Sequence, residues 1–392
     1  MYRRQMLLAA LAAGCASLTA MPAAAGDDPF RIGLILPMTG PFASTGKEID
    51  AAVRLYVAQH GETVAGRRIE VVLKDDGGVA DATKRIAQEL IVHDKVSVLA
   101  GFGLTPLALA TAPLTVRAKV PMVVMAAATS AITGKSPYVT RTSYTTPQVA
   151  SVIARWAAGS GIKTMVTLVS DYGPGLDSET SFTRSFEAAG GTMLGTLRVP
   201  LQNPDFAPFL QKLADLKPDG VYVFVPSGVG APFMKQYIER GLDRSGIRLI
   251  SEGGITDDEI LDSEGDPALG AITGFHYSAA HDSALNRDFV TAFMAANPGM
   301  RPNFMAVGGY DGMALIYKAL EKAGGAADGD ALIGAMKGMS WESPRGPITI
   351  DPETREIVQN VYMRKVERVD GALWNVEFET FEAVKDPGKA PS

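Results

Sequence analysis

Four short loops rich in small and hydroxylated residues each follow an apolar run that is typical of a buried strand. Small residues let the backbone approach a ligand closely, and a helix that starts after such a loop presents unpaired N–H groups to an anion. The hydroxyls of Thr105, Thr129 and Ser130 add donors, so the pattern predicts a site for a small carboxylate without a dedicated cation. The alternative is that Thr105 and Ser130 only cap helices. The four loops are residues 38–46, 101–106, 126–130 and 171–175.

Motifs for catalytic and metal chemistry are weak in this sequence. Ser44 and Lys47 match an SxxK pattern, but no KTG element follows. Gly101 and Gly103 lack the third glycine of a dinucleotide-binding loop. The four histidines do not have metal-ligand spacing, and the single cysteine, Cys15, excludes a cysteine zinc site. We therefore predict a protein that is not an enzyme and uses no cofactor or metal.

Length and composition indicate a globular protein of two domains. The chain has 392 residues, of which 46% are hydrophobic and 20% charged. The net charge is −6 and no basic block occurs, which argues against nucleic acid as a partner.

Residues 1–25 are typical of a secretory signal peptide. Two arginines precede an apolar stretch at 6–19, and small residues lead to a cut before Gly26. The apolar stretch is shorter than the about 20 residues that span a membrane. Cys15 lies in a loose lipobox with Ala12 in place of the usual leucine, so lipidation of Cys15 is an alternative fate. We predict export to the periplasm.

Apolar runs alternate with amphipathic segments, a pattern typical of βαβ units and parallel sheets. Strands begin near residues 31, 68, 96 and 121, and the series resumes near 164, 192, 220 and 247. Both series start with a strand that runs into a Gly-Pro loop and a helix. The sequence therefore predicts an α/β protein with two similar open lobes, which the C-terminal segments complete.

Five motifs stand in order along the chain: IGLILPMTGPFASTG at 32–46, GFGLTP at 101–106, AAATS at 126–130, DYGPG at 171–175 and GYDGMAL at 309–315. With these motifs the chain resembles the type I periplasmic binding proteins of the branched-chain amino-acid receptor family. The resemblance implies two Rossmann-like parallel-sheet lobes joined by a three-crossover hinge. It also implies a monomer that closes around a small carboxylate and docks on the permease subunits of an ABC transporter.

The resemblance also implies the division of the chain into lobes and hinge. The N-terminal lobe would comprise 28–143 plus 279–345, and the C-terminal lobe 146–275 plus 348–385. The crossovers would lie near 141–147, 276–280 and 344–351.

Site residues follow from the same resemblance. Leu104 with Thr105, and Ala128 with Thr129, match positions that contact the ligand carboxylate in amino-acid receptors. Tyr172 matches a position that lines the pocket from the other lobe, and a packed loop aromatic is its alternative.

Several further positions bear on specificity. Thr45 matches a position that is aromatic in some relatives, which leaves side-chain specificity open. Phe42, Phe102 and Tyr144 could stack on a ligand ring. For Phe42 and Phe102, a place in the hydrophobic core is the alternative.

Glu252 separates two classes of ligand. It matches the family carboxylate that receives a ligand ammonium, unless the alignment shifts to Gly253 or Glu252 is a surface residue at a strand end. Without a carboxylate in the cleft, an ammonium would be desolvated and unpaired, so the ligand would be a plain hydrophobic acid. Residues 126–148 resemble members that take up aromatic acids such as benzoates. A ligand sensor and a secreted hydrolase are the other functions left open.

Overall fold

A computed structural model describes residues 28–389 of the chain. The predicted signal peptide and Cys15 lie outside these residues. Within 28–389, none of the helices combines the length and the apolar character needed to cross a membrane.

Strands and helices alternate through most of the described chain. Their order and bounds are β1 Phe30–Leu36, α1 Ala43–His60, β2 Thr63–Val64, β3 Arg67–Asp75, α2 Ala80–Val92, β4 Val98–Gly101, α3 Thr105–Ala118, β5 Met122–Val124, β6 Val139–Arg141, α4 Thr146–Gly159, β7 Thr164–Ser170, α5 Gly173–Ala188, β8 Thr192–Val199, α6 Ala207–Leu216, β9 Gly220–Phe224, α7 Gly230–Glu239, β10 Arg248–Glu252, α8 Leu261–Glu264, β11 Ile272–Phe275, α9 Ala284–Ala296, α10 Phe304–Lys322, α11 Gly329–Met336, β12 Ser340–Ser343, β13 Gly346–Ile350, β14 Ile357–Val369 and β15 Ala372–Val384.

The first sheet has the strand order β2-β3-β1-β4-β5-β6. All neighbours pair in parallel except β2, which is antiparallel to β3. Strands β1 and β4 are continuous apolar runs because helices cover both faces of the sheet. Helices α1 and α10 pack against each other on one face, and α2 and α3 pack together on the other.

The second sheet begins with the parallel order β8-β7-β9-β10-β11. Beyond β11 it continues with antiparallel strands, because β14 pairs with β11, β13 and β15. Together the two sheets confirm the predicted α/β class with two parallel-sheet units. The pairing of β15 with β14 was not predicted.

The chain passes between the two sheets more than once. It leaves the first sheet after β6, and after β11 it returns, since α9 and α10 pack on α1 and α11 contacts β6. It then enters the second sheet again at β12, which pairs with β13 at residues 340–343. This pairing differs from the predicted division, which assigned residues up to 345 to the first lobe; the division into lobes otherwise stays a prediction.

Three fully buried arginines contact the segments that cross between the sheets. Arg345 pairs with Asp311 of α10 at 2.6 Å and donates to the carbonyl of Thr142 at 2.5 Å. Arg141 pairs with Glu356 at 2.5 Å. Arg364 donates to Thr273 and to the carbonyl of Tyr277. Arg141 and Arg345 are thus paired with carboxylates as well as hydrogen-bonded, as buried guanidinium groups require, and the hydrogen bonds of all three arginines connect the crossing segments to their surroundings.

Candidate functional site

A narrow cavity lies between the carboxyl ends of the two parallel sheets, where ligands bind in open α/β folds. Its volume is about 30 Å³, so the facing walls stand close together in this closed arrangement. Both sheets contribute walls. The lining residues are Phe42, Thr45, Gly103, Leu104, Thr105, Ala126, Ala127, Ala128, Tyr144, Tyr172, Pro174, Phe224, Val225, Pro226, Ser227, Glu252, Gly254, Phe304 and Met305.

The start of helix α3 forms one end of the cavity. Leu104 precedes the helix in an extended conformation and Thr105 is its first residue. The hydroxyl of Thr105 is buried and has no hydrogen-bond partner among the described residues. The first-turn N–H groups of a helix also lack helical partners, so this end offers hydroxyl and N–H donors to an anion.

A tight turn after β4 presents this helix start. Gly101 and Phe102 both adopt left-handed φ values, 105° and 68°. A Cβ at Gly101 would lie 2.3 Å from the carbonyl oxygen of Ile35, so only glycine fits there. The turn directs Phe102 into the core between the first sheet and α3, where it is fully buried. Phe102 therefore does not line the cavity; of its two expected roles it takes the core one.

Arg141 contacts the backbone of the loop that follows β5, part of which lines the cavity. It donates to the carbonyl of Ala127 and, at 2.6 Å, to that of Thr129. Both carbonyls are thus bonded to a buried cation, and residues 126–128 of the same loop line the cavity. No lysine, arginine or histidine of the described residues lines the cavity. Arg141 thus acts on the loop backbone and not directly on the cavity.

Aromatic rings form the side walls. Tyr172 stacks on Phe224 with ring centroids 6.2 Å apart, and both come from the second sheet. Tyr144, from the first crossing, stacks on the buried His276 at 4.7 Å. Phe42, which precedes α1, and Phe304, the first residue of α10, also line the cavity. Aromatic side chains from both sheets therefore contribute to its walls, which suits an aromatic ligand.

Glu252 lies at the end of β10 and lines the same cavity as the start of α3. It is 1% exposed, so the expectation of a surface residue at this strand end is wrong. Its Oε1 accepts hydrogen bonds from Tyr222 at 2.5 Å and Ser178 at 2.7 Å. Its Oε2 makes no hydrogen bond of normal geometry with the described residues.

The charge state of Glu252 follows from this burial. Desolvation raises the pKa of the Glu252 carboxyl to about 8, although the hydroxyls of Tyr222, Ser178 and Tyr144 oppose the rise. Glu252 is therefore mostly protonated at neutral pH in this closed arrangement. A neutral carboxyl can donate one hydrogen bond from Oε2 into the cavity.

Two of the predicted hydroxyl donors lie outside the cavity lining. Thr129 donates its hydroxyl to Asp177 of α5, and the backbone N–H of Ser130 donates to the same carboxylate at 2.9 Å. The hydroxyl of Ser130 donates to Asp386 at 2.6 Å. The hydroxyls of Thr129 and Ser130 and the N–H of Ser130 therefore already donate to carboxylates of the protein.

The structure thus brings together seven of the ten predicted site residues, from five separate segments: Phe42, Thr45, Leu104, Thr105, Ala128, Tyr172 and Glu252. It adds residues that sequence reasoning missed. Phe224 and Phe304 line the cavity, and Tyr222 and Ser178 orient Glu252. Tyr222 lies within the strand β9 and has the signature of an ordinary core residue, so nothing in the sequence distinguished it.

Comparisons with known proteins identify the family and the fold. A family model described as periplasmic binding protein matches residues 29–372. A solute-binding protein of an ABC transporter from Rhodopseudomonas palustris BisB5, solved in complex with 3,4-dihydroxybenzoic acid, is 61% identical; the match covers 92% of this chain and 99% of that one, with a TM-score of 0.90. A solute-binding protein from R. palustris in complex with 4-hydroxybenzoate is 42% identical over 93% of this chain and 100% of that one, also with a TM-score of 0.90. The Leu/Ile/Val-binding protein homolog 6 of Brucella melitensis is 46% identical over 93% of this chain and 95% of its own length.

Proposed function

The chain belongs to the periplasmic binding protein family, and from this premise we propose that it is the extracytoplasmic receptor of an ABC importer for small aromatic carboxylates that carry a ring hydroxyl. The ligand enters the cleft between two lobes and the lobes close on it. The closed form is then recognised by the permease subunits.

The ligand carboxylate binds at the start of α3. The unpartnered hydroxyl of Thr105 and the first-turn N–H groups supply its hydrogen bonds, and the small side chain of Ala128 leaves room for it. Hydrogen bonds to a charged group contribute about 1.5–3 kcal/mol each, so two or three suffice without a cation.

The ring lies between the aromatic walls. Tyr172 and Phe224 bound it from one lobe, and Phe42 and Phe304 from the other. Burial of about 100 Å² of apolar ligand surface contributes about 2.5 kcal/mol at about 25 cal/mol per Å². Because the walls come from both lobes, a ring fills the space only when the lobes are closed.

Glu252 is the observation that carries the choice of ligand. A buried carboxyl with a pKa of about 8 in the unliganded cavity is mostly neutral at pH 7 and must lose its proton before it can pair with an ammonium group. The same neutral carboxyl, with Oε1 already accepting two hydrogen bonds, suits a ring hydroxyl that accepts from Oε2. The relatives solved with 3,4-dihydroxybenzoic acid and 4-hydroxybenzoate support this choice. Hydrophobic amino acids are the second candidate class, favoured by the name of the Brucella relative.

Location and partners follow from the family and the leader sequence. We propose that residues 1–25 direct export to the periplasm and are removed, with lipidation of Cys15 as the alternative fate. The mature receptor acts as a monomer without catalysis, cofactor or metal. A sensor for a signalling partner would bind the same ligands, but uptake would then survive its deletion.

A titration panel tests the proposal. Isothermal titration calorimetry of the mature protein compares 4-hydroxybenzoate, 3,4-dihydroxybenzoate, benzoate and leucine. We expect micromolar or tighter binding of the hydroxylated acids, weaker binding of benzoate and none of leucine. Binding of leucine alone would contradict the proposed ligand class, and turnover of any probe would favour the hydrolase alternative.

A further inference from the structure

Asp177 connects the two lobes beside the ligand cavity. It lies in the first two turns of α5, which follows β7 of the second sheet. Its carboxylate accepts the hydroxyl of Thr129 and, at 2.9 Å, the N–H of Ser130, both of which follow β5 of the first sheet. Because donor and acceptor come from different sheets, these two hydrogen bonds exist only while the lobes are closed.

The same contact does not belong to the ligand site. Neither Asp177, Thr129 nor Ser130 lines the cavity, whereas the adjacent Ala128 does. An anionic side chain would also repel an anionic ligand. Asp177 therefore takes up two donors that would otherwise be free to bind a carboxylate.

The C-terminal tail holds the same loop from another side. Asp386 follows β15 of the second sheet, and it accepts the hydroxyl of Ser130 at 2.6 Å. The ammonium of Lys389 lies 3.6 Å from Glu356. Ser130 therefore donates its hydroxyl to the tail and its backbone N–H to Asp177.

We propose that Asp177 is a closure residue, which sets ligand affinity by stabilising the closed form without touching the ligand. This inference rests on the proposed function, since affinity then includes the free energy of closing. Two hydrogen bonds to a carboxylate are broken each time the lobes open. Their loss is expected to weaken binding about 10- to 100-fold.

The experiment compares D177A with E179A, a matched variant on the same helix. The Glu179 carboxylate also accepts two hydrogen bonds, but both come from Arg198 of β8 in the same lobe, at 2.9 Å each. Each variant removes one negative charge and leaves alanine, a good helix former. We measure the affinity for 4-hydroxybenzoate, the dissociation rate and the melting temperature without ligand.

We expect D177A to weaken binding through faster dissociation and to leave the melting temperature without ligand unchanged. We expect E179A to retain wild-type affinity. In a double-mutant cycle, T129V and D177A should be non-additive, because each removes the same hydrogen bond. Wild-type affinity in D177A, or an equal loss in E179A, would overturn the assignment.

A second measurement does not depend on ligand binding. Dyes at K84C on α2 and K212C on α6, both exposed, report lobe separation by single-molecule energy transfer. D177A should lower the fraction of closed molecules without ligand, and E179A should not. If the wild-type protein binds none of the aromatic acids, the proposed ligand class is wrong, but this measurement still tests the role of Asp177. Equal closed fractions in wild type and D177A would show that Asp177 is not a closure residue.

Discussion

Replacement of Glu252 by glutamine should remove the pH dependence of ligand binding. Burial raises the pKa of the Glu252 carboxyl from its usual 4.5 to about 8, and we expect opening of the lobes to admit water and bring this pKa back toward 4.5. The closed, liganded form therefore binds a proton that the open form releases. Affinity is highest below the pKa of the open form, falls as the pH rises toward about 8, and levels off above it.

The pKa difference bounds the size of this effect. At about 1.4 kcal/mol per pKa unit, the rise from 4.5 to about 8 corresponds to at most about 5 kcal/mol. The actual effect is smaller because Tyr222 and Ser178 belong to the same lobe as Glu252 and still surround it when the lobes open. We expect a 10- to 100-fold loss of affinity between pH 5.5 and 8.5.

The E252Q variant tests whether the pH dependence of binding comes from the proton on the Glu252 carboxyl. Its amide oxygen can accept from Tyr222 and Ser178, as Oε1 does, and its NH₂ group can donate into the cavity at the position of Oε2. Calorimetry with 4-hydroxybenzoate at pH 5.5, 7 and 8.5 keeps the ligand carboxylate ionised and the ring hydroxyl neutral. Repeating the titration in buffers of different ionisation enthalpy counts the protons taken up.

We expect E252Q to bind equally well at all three pH values and more tightly than wild type at pH 8.5. A wild-type affinity that is constant across this range would refute the argument that closure neutralises Glu252. Loss of binding in E252Q at every pH would instead show that an ionised carboxylate is required.

Three further predictions concern the anion end, the cleft and the hinge. T105V should weaken binding of 4-hydroxybenzoate about 10-fold or more by removing an unpartnered hydroxyl, with an unchanged melting temperature without ligand. The double variant T129C/G173C should form a disulfide across the cleft, because a Cβ at Gly173 would lie 3.6 Å from the Cβ of Thr129. Radiolabelled ligand bound in the oxidised protein should then exchange only after reduction. Free exchange in the oxidised protein would contradict closure at this contact. R345M should lower the free energy of unfolding by about 3–5 kcal/mol in urea denaturation, since it leaves Asp311 buried and unpaired.

Much of the fold was predictable from hydrophobic pattern. Strands such as β1 and β7 agree with prediction within a residue, because a short continuous apolar run between two helices is typical of a strand buried on both faces. The strand β15 was missed, since its alternation of apolar and charged residues ends in an exposed half that packs little. The short strand β6 has only three residues and no periodicity to detect.

The cavity was predictable where it depends on topology. Loops after parallel strands meet at one edge of a sheet, so Thr105 and Ala128 could be assigned to a common site from their positions alone. The acceptor to which each hydroxyl or N–H group donates was not predictable from the sequence. Ser130 is separated by 47 residues from Asp177 and by 256 from Asp386, and such pairings depend on the relative position of the two lobes.

The buried arginines that contact the crossing segments constrain how the lobes move. Arg345, in the turn between β12 and β13, donates to the carbonyls of Thr142 and Ser143 on the first crossing and also to Gln359 of β14. A crossing fastened to the second sheet in this way is expected to resist twisting, so that the lobes bend mainly about one axis. Every ligand that closes the cleft would then produce the same relative orientation of the two lobes, so the transporter could respond to the outline of the receptor and remain indifferent to which acid lies inside.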